Sequence, residues 1–160
     1  MTRRFRAWVL AVPILLAACG SRVDLQQAVE IVDVSTGWID GGVKDGKNRL
    51  LPSVTFRIRK KDANADIRTI ALNVGFRVVG EQDNREDVFV QRIEIGANGQ
   101  TAPIVVRPES GYAADPPQSR AEMLKNSYFQ DMEARIFGRQ SSAQWTELHQ
   151  VTIERRLLAQ

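Results

Sequence analysis

The chain has 160 residues, and its 22 basic and 19 acidic residues leave a formal net charge of +3. Arg3, Arg4 and Arg6 account for that whole excess, so the remainder is balanced at 19 basic against 19 acidic residues. Charge therefore carries no nucleic-acid signal, and no nucleic-acid partner is expected. The single cysteine excludes an internal disulfide, so the fold must stand on packing.

Met1–Arg6 is a positively charged start with no acid, and Ala7–Leu16 is apolar throughout. That run suits a signal-peptide h-region and falls short of the roughly 20 residues a membrane-spanning helix needs. It ends Leu16-Ala17-Ala18-Cys19, which resembles the bacterial lipobox. The resemblance implies that residues 1–18 are a lipoprotein signal peptide, cut between Ala18 and Cys19. It also implies a diacylglyceryl thioether on Cys19 and acylation of the new α-amino group. Several acyl chains hold a protein firmly, because each buried methylene contributes about 0.8 kcal/mol. Thr2-Arg3-Arg4-Phe5 lacks the residue that the twin-arginine pattern places before the Phe, so general secretion is expected. Gly20 stands where an Asp would favour the inner membrane. The expected address is the bacterial cell envelope, at the outer membrane and facing the periplasm.

Residues 19–28 read as the lipidated cysteine and a tether, whose nine residues after Cys19 reach roughly 30 Å when extended. Residues 29–160 read as one β-sandwich domain. Period-2 alternation marks the strands. Val29–Val34 is the first. Ser53–Lys60 points Val54, Phe56 and Ile58 one way and Arg57 and Arg59 the other. Thr69–Val79 does the same with Ile70, Leu72, Val74, Phe76 and Val78. Asp87–Ile95 sets Val88 and Val90 on one face and Phe89, Ile93 and Ile95 on the other. Ala102–Arg107 is short. Phe129–Phe137 carries Met132, Ala134 and Ile136 inward. Trp145–Leu158 carries Val151, Ile153 and Leu157, with a bulge expected near Leu148, where the phase slips.

Polar turns separate these runs at Lys61–Asp66, Gly80–Arg85 and Gly138–Ala143, and Asn98-Gly99 reads as the strongest hairpin signal. Two segments break the pattern. Gly37–Pro52 reads as an extended loop or a short irregular hairpin. Pro108–Tyr128 is longer, and its Ser119-Arg120-Ala121-Glu122 fits a capping box opening a short helix near Arg120–Asn126, with Met123 and Leu124 covering an end of the sandwich. The expected fold is all-β, about seven strands with one short helix in a long loop.

Val54-Thr-Phe-Arg-Ile-Arg, the polar turn after it, and Ile70-Ala-Leu-Asn-Val-Gly-Phe-Arg-Val-Val carry a further likeness. They resemble the immunoglobulin-like modules of bacterial envelope lipoproteins, including the FxLYD type. The FxLYD signature itself is absent, since Arg77-Val78-Val79 follows Phe76. The resemblance implies a sandwich, with a transthyretin-like variant as the alternative.

Little in the sequence points to catalysis. His149 is the only histidine and reads as a half-buried structural residue. No nucleophile motif and no His/Cys metal set is present, so no catalytic residue, metal or cofactor is assigned. The carboxylates Asp83, Glu86, Asp87, Asp115, Asp131 and Glu133 fall mostly in turns or on outward faces. Asp40–Asn48 lacks the order of a calcium loop and reads as a solvated turn. Arg57, Arg59 and Arg77 would form a basic strip if their strands pair. Trp38, Tyr112 and Tyr128 lie in or beside the irregular segments, where binding commonly resides, and are the main binding residues expected.

The reading is a lipid-anchored, non-catalytic periplasmic interaction module, an accessory subunit of an envelope assembly. Its partners would be the membrane, through acyl chains on Cys19, and an envelope protein. The alternative is a carrier or sensor for a small molecule or lipid held between the Trp38 and Tyr112 loops. An envelope hydrolase is a third, weaker reading.

Overall fold

Alternating residues make strands, and what decides the architecture is where each strand finds its partner. The computed structural model describes residues 24–159, so Ala18 and Cys19 lie outside the described residues. Helix α1 (Leu25–Ala28) opens the described chain, capped by the Asp24 side chain, within the stretch read as tether. Eight strands follow: β1 (Val29–Lys44), β2 (Lys47–Lys60), β3 (Thr69–Val78), β4 (Glu86–Glu94), β5 (Ile104–Val106), β6 (Tyr112–Ala114), β7 (Met132–Arg139) and β8 (Thr146–Thr152). Helix α2 (Arg120–Met123) lies between β6 and β7, and Ser119 and Glu122 form the capping box read from the sequence.

The strands make two four-stranded antiparallel sheets. One has the order β1-β2-β5, with β6 also on β2; the other has the order β4-β3-β7-β8. Together the two sheets make an all-β sandwich. The two inner faces close over Val54, Phe56, Ile58, Leu72, Val74, Phe76, Ala134 and Ile136, all without solvent exposure. Met123 and Leu124 of the α2 region join this core.

Several expectations change in the structure. Of the two readings of Gly37–Pro52, the irregular hairpin holds and the loop does not, but the hairpin is long. β1 and β2 form one long hairpin whose turn is Asp45-Gly46, both at positive φ (51° and 75°), the geometry that favours Asp-Gly in a two-residue turn. β1 bends through two register shifts, after Val32 and after Asp40, where Asp33 and Gly42 take positive φ. Asn98-Gly99 does turn the chain, with Gly99 at φ 77°, but it joins no hairpin. β4 before it belongs to one sheet and β5 after it to the other, so it is a crossing between sheets.

β4 is also rephased. Ala71 stands opposite both Gln91 and Arg92, and Arg92 has φ 53°. That extra residue turns Ile93 and Ile95 inward with Val88 and Val90, leaving Phe89 alone on the outer face. The bulge expected in β8 is present at Leu148, because His149 pairs with Ile136 while Glu147 pairs with Phe137. β8 stops at Thr152, however, and the chain crosses to β1. There the Trp38 N–H donates to the Arg156 carbonyl (2.8 Å), and the Leu158 N–H donates to the Trp38 carbonyl (2.8 Å). Leu157 is consequently exposed, not inward. Gly37 admits this strap: a Cβ there would lie 2.7 Å from the Leu158 side chain.

Candidate functional site

The three aromatic residues singled out from the sequence do not act together. Trp38 and Tyr112 both face inward, from β1 and from β6 on the far side of β2. Phe129, just before β7, fills the space between them. Its ring meets Trp38 edge-on at 4.7 Å and Tyr112 edge-on at 4.9 Å, distances typical of favourable aromatic pairs. Trp38 is fully buried, and Tyr112 is half-buried. Tyr128 is 84% exposed and has no ring contact among the described residues. The residue that completes the cluster is its neighbour, Phe129.

Arg155 clamps this cluster from outside. Its guanidinium lies 5.0 Å over the Phe129 ring and donates to the Phe129 carbonyl and to both oxygens of Asp131. The hydrogen bond from Arg155, offset by some burial, holds the Asp131 carboxyl below its usual range. Asp40 is lowered in the same way, chiefly by Arg120, and its carboxylate also accepts from the Gly42 N–H.

Above the aromatic cluster a cleft of about 310 Å³ opens between the sheets. Trp38 and Phe76 lie at its floor, Val78, Tyr112 and Met132 make its walls, and Arg85, Ser110 and Gln130 lie at its mouth. Glu86 is the carboxylate of this cleft, and both its oxygens are engaged. They accept from the N–H groups of Glu109 and Ser110 and from the Ser110 hydroxyl. Burial raises the Glu86 pKa, but these donors and the charge of Arg49 outweigh it, so the group stays ionised below the ordinary range.

The basic strip is corrected. Arg57 and Arg59 lie on β2 and Arg77 on β3, and those strands belong to opposite sheets. Their outward sides point away from each other. Arg57 and Arg59 pair with Asp33 (3.6 Å) and Glu30 (2.8 Å) on β1. Arg77 is largely buried against Glu133 on β7, which also accepts from Gln150. No continuous cationic surface results.

The outer face of the second sheet carries a cluster that the alternation did not isolate. Phe89 on β4 is 62% exposed and lies 6.2 Å from Trp145. Arg139 stacks on Trp145 at 4.4 Å, and Arg135 stacks on Phe137 at 4.9 Å while pairing with Glu147. Arg139 has no ion pair among the described residues, and its Nε, like that of Arg135 and the Asn73 Oδ1, is buried without a hydrogen-bond partner. The signal available in the sequence was Trp145 with Arg139. The rephasing at Arg92 that puts Phe89 beside them has no simple sequence mark.

Of the carboxylates considered for catalysis, Asp115 pairs with Lys47, Asp87 accepts from Asn84, and Asp131 and Glu133 pair with arginines. Among the described residues no group of three His, Cys, Asp or Glu is placed to hold a metal. His149 is half-buried on β8 beside α1. No protein-family model, curated protein or solved structure matches the chain.

Proposed function

We propose that this protein is a lipid-anchored, non-catalytic module of the bacterial envelope, an accessory subunit that docks a protein partner along β4 and the outer face beside it. Cys19 supplies the anchor, and α1 begins only a few residues after it. The domain would then face the periplasm from the outer membrane.

The observation that carries the docking surface is Phe89, 62% exposed on an edge strand whose one sheet neighbour is β3. Edge strands offer unpaired backbone groups to an added strand. The bulge at Arg92 blunts the far half of β4, leaving Glu86–Val90 regular. Phe89 is an aromatic anchor of the kind that dominates interfaces. Beside it Arg139, without a carboxylate partner among the described residues, favours an extended segment carrying an acidic residue.

A photoreactive amino acid placed at position 89 of the lipidated protein, in its own cells, tests this reading. Val105 is the matched control: it is equally exposed, at 62%, on the outer face of the other sheet. One discrete envelope-protein adduct from position 89 and none from position 105 is expected. No adduct at 89, or the same adducts at both, would refute docking through β4.

A further inference from the structure

The outer rim of β4 carries its charges in a fixed order. Cross-strand rows on this face run from β4 through β3 to β7. Asp87 shares a row with Gly75 and Arg135, and Phe89 shares the next with Asn73 and Phe137. Gln91 and Arg92 together face Ala71, whose other neighbour is Arg139. Along the rim the order is therefore an anion, an aromatic ring and a cation. Asp87 accepts from the Asn84 side chain at 2.9 Å but has no ion pair among the described residues. The exposed Arg92 has none either. The other charges nearby are spent or set back: Arg135 is paired with Glu147, Arg85 with Glu81, and Glu94 lies past the bulge.

A strand added to β4 sets every second side chain beside Asp87, Phe89 and the Gln91–Arg92 pair. Opposite charges facing each other across strands attract, and like charges directly opposed repel. The strand that fits therefore carries a base, an apolar residue and an acid at alternate positions, in that spatial order. Every pairing in this sheet is antiparallel, the slightly more stable arrangement. Continued antiparallel, the added strand reads acid-x-apolar-x-base from its N-terminus. A second copy's β4 comes near this order, with Asp87, Phe89 and Arg92. Its anchor argues against it. β4 ends beside α1, because the Lys60 N–H donates to the Gly99 carbonyl and the Lys61 N–H to the Ala28 carbonyl. Antiparallel pairing would put the second copy's α1 at the opposite end of the sandwich, roughly 30 Å off by the rise from Val29 to Trp38. Residues 20–24 reach only roughly 20 Å, so two sandwiches standing on one membrane do not pair this way.

We infer that the partner of β4 is an extended segment of a different envelope protein, added antiparallel and carrying an acid, an apolar residue and a base at alternate positions. This rests on docking along β4 and adds the chemistry and direction of what docks. The acid faces Arg92 and Arg139, the apolar residue covers Phe89, and the base faces Asp87. Charge order sets register and direction here, while the backbone ladder and Phe89 supply the affinity.

The test uses the ¹⁵N-labelled lipidated protein in neutral lipid nanodiscs and two end-blocked peptides of one composition. One is Thr-Glu-Thr-Ile-Thr-Lys-Thr and the other its reverse, Thr-Lys-Thr-Ile-Thr-Glu-Thr. The backbone amide resonances of residues 87–90 are followed. The first peptide should shift them saturably and bind about tenfold tighter than the second, since reversal turns two attractive facings into two repulsive ones. In Asp87→Lys with Arg92→Glu, both at exposed positions, the preference should invert. Equal binding of the two peptides, or a double variant that keeps the parent's preference, overturns the inference and leaves docking along β4 standing. An adduct from position 89 that proves to be a second copy of this chain also overturns it. No shift on β4 with either peptide overturns it as well; if position 89 then gives no adduct, docking along β4 falls with it.

Discussion

Replacing Phe129 with alanine should lower the unfolding free energy by about 3–5 kcal/mol, the usual cost of deleting a buried Phe ring. Three local facts favour the full cost. The ring is only 4% exposed. It is edge-on to both Trp38 and Tyr112, and each such pair is worth about 0.5–1.5 kcal/mol within that total. Arg155 also loses the ring it stacks upon. Phe129→Leu keeps most of the volume but loses the ring geometry, and should cost about 1–3 kcal/mol. Tyr128→Ser, one residue away but 84% exposed, should stay within about 0.5 kcal/mol of the parent. Urea unfolding followed by far-ultraviolet circular dichroism compares all three. At about 2–4 °C per kcal/mol for a domain somewhat larger than this one, Phe129→Ala should also lower the Tm by roughly 10 °C or more. A Phe129→Ala cost below about 1 kcal/mol, or a Tyr128→Ser cost as large, would refute the assignment of Phe129 as keystone of this end of the sandwich.

Two further outcomes follow from the charge pairs. Arg77→Ala should cost about 3 kcal/mol in the same unfolding assay, because it leaves Glu133, whose side chain is 9% exposed, without its cation. Arg57→Ala should cost under about 1 kcal/mol, since its pair with Asp33 is exposed. Equal costs would contradict the separation of these arginines onto opposite sheets. The pH dependence has a defined sign. Asp40 and Asp131 titrate below their ordinary value of 3.8 when folded, so each contributes stability above that value and loses it as pH falls through the lower folded one. Stability measured from pH 7 down to pH 2 should therefore drop at its acid end. Asp40→Asn with Asp131→Asn should be less stable at pH 7 and show a shallower acid limb; an unchanged limb would contradict the two arginine pairings.

Much of this architecture is legible in side-chain alternation, and the gaps have physical causes. β3, β7 and the Ser53–Lys60 part of β2 read as strands because each keeps period 2 through its core-facing residues. The helix at Arg120 reads correctly because the capping box is a local device. Phe89 misleads because one residue at positive φ reverses the face of everything after it. Asp45-Gly46 is a turn signal as strong as Asn98-Gly99, but glycines and charges around it leave the facing ends of β1 and β2 readable as a loop or as a short irregular hairpin. Turn chemistry cannot distinguish a hairpin from a crossing between sheets: Asn98-Gly99 and Asp45-Gly46 differ in what their flanking strands pair with. The basic strip failed for the same reason, since it required β2 and β3 to be neighbours. The Trp38–Tyr112 cleft was visible only as two aromatics in irregular segments, because the residue joining them, Phe129, starts the run read as the next strand.

The anchor is the most direct point of attack on the whole account. The measurement is mass spectrometry of the N-terminal peptide of the protein isolated from bacterial membranes. An N-terminus at Cys19 carrying a diacylglyceryl thioether and an acylated α-amino group is predicted, with Cys19→Ala released from the membrane fraction. An unmodified Cys19, or a Cys19→Ala protein that stays membrane-bound, would contradict the lipid anchor and the docking geometry proposed from it.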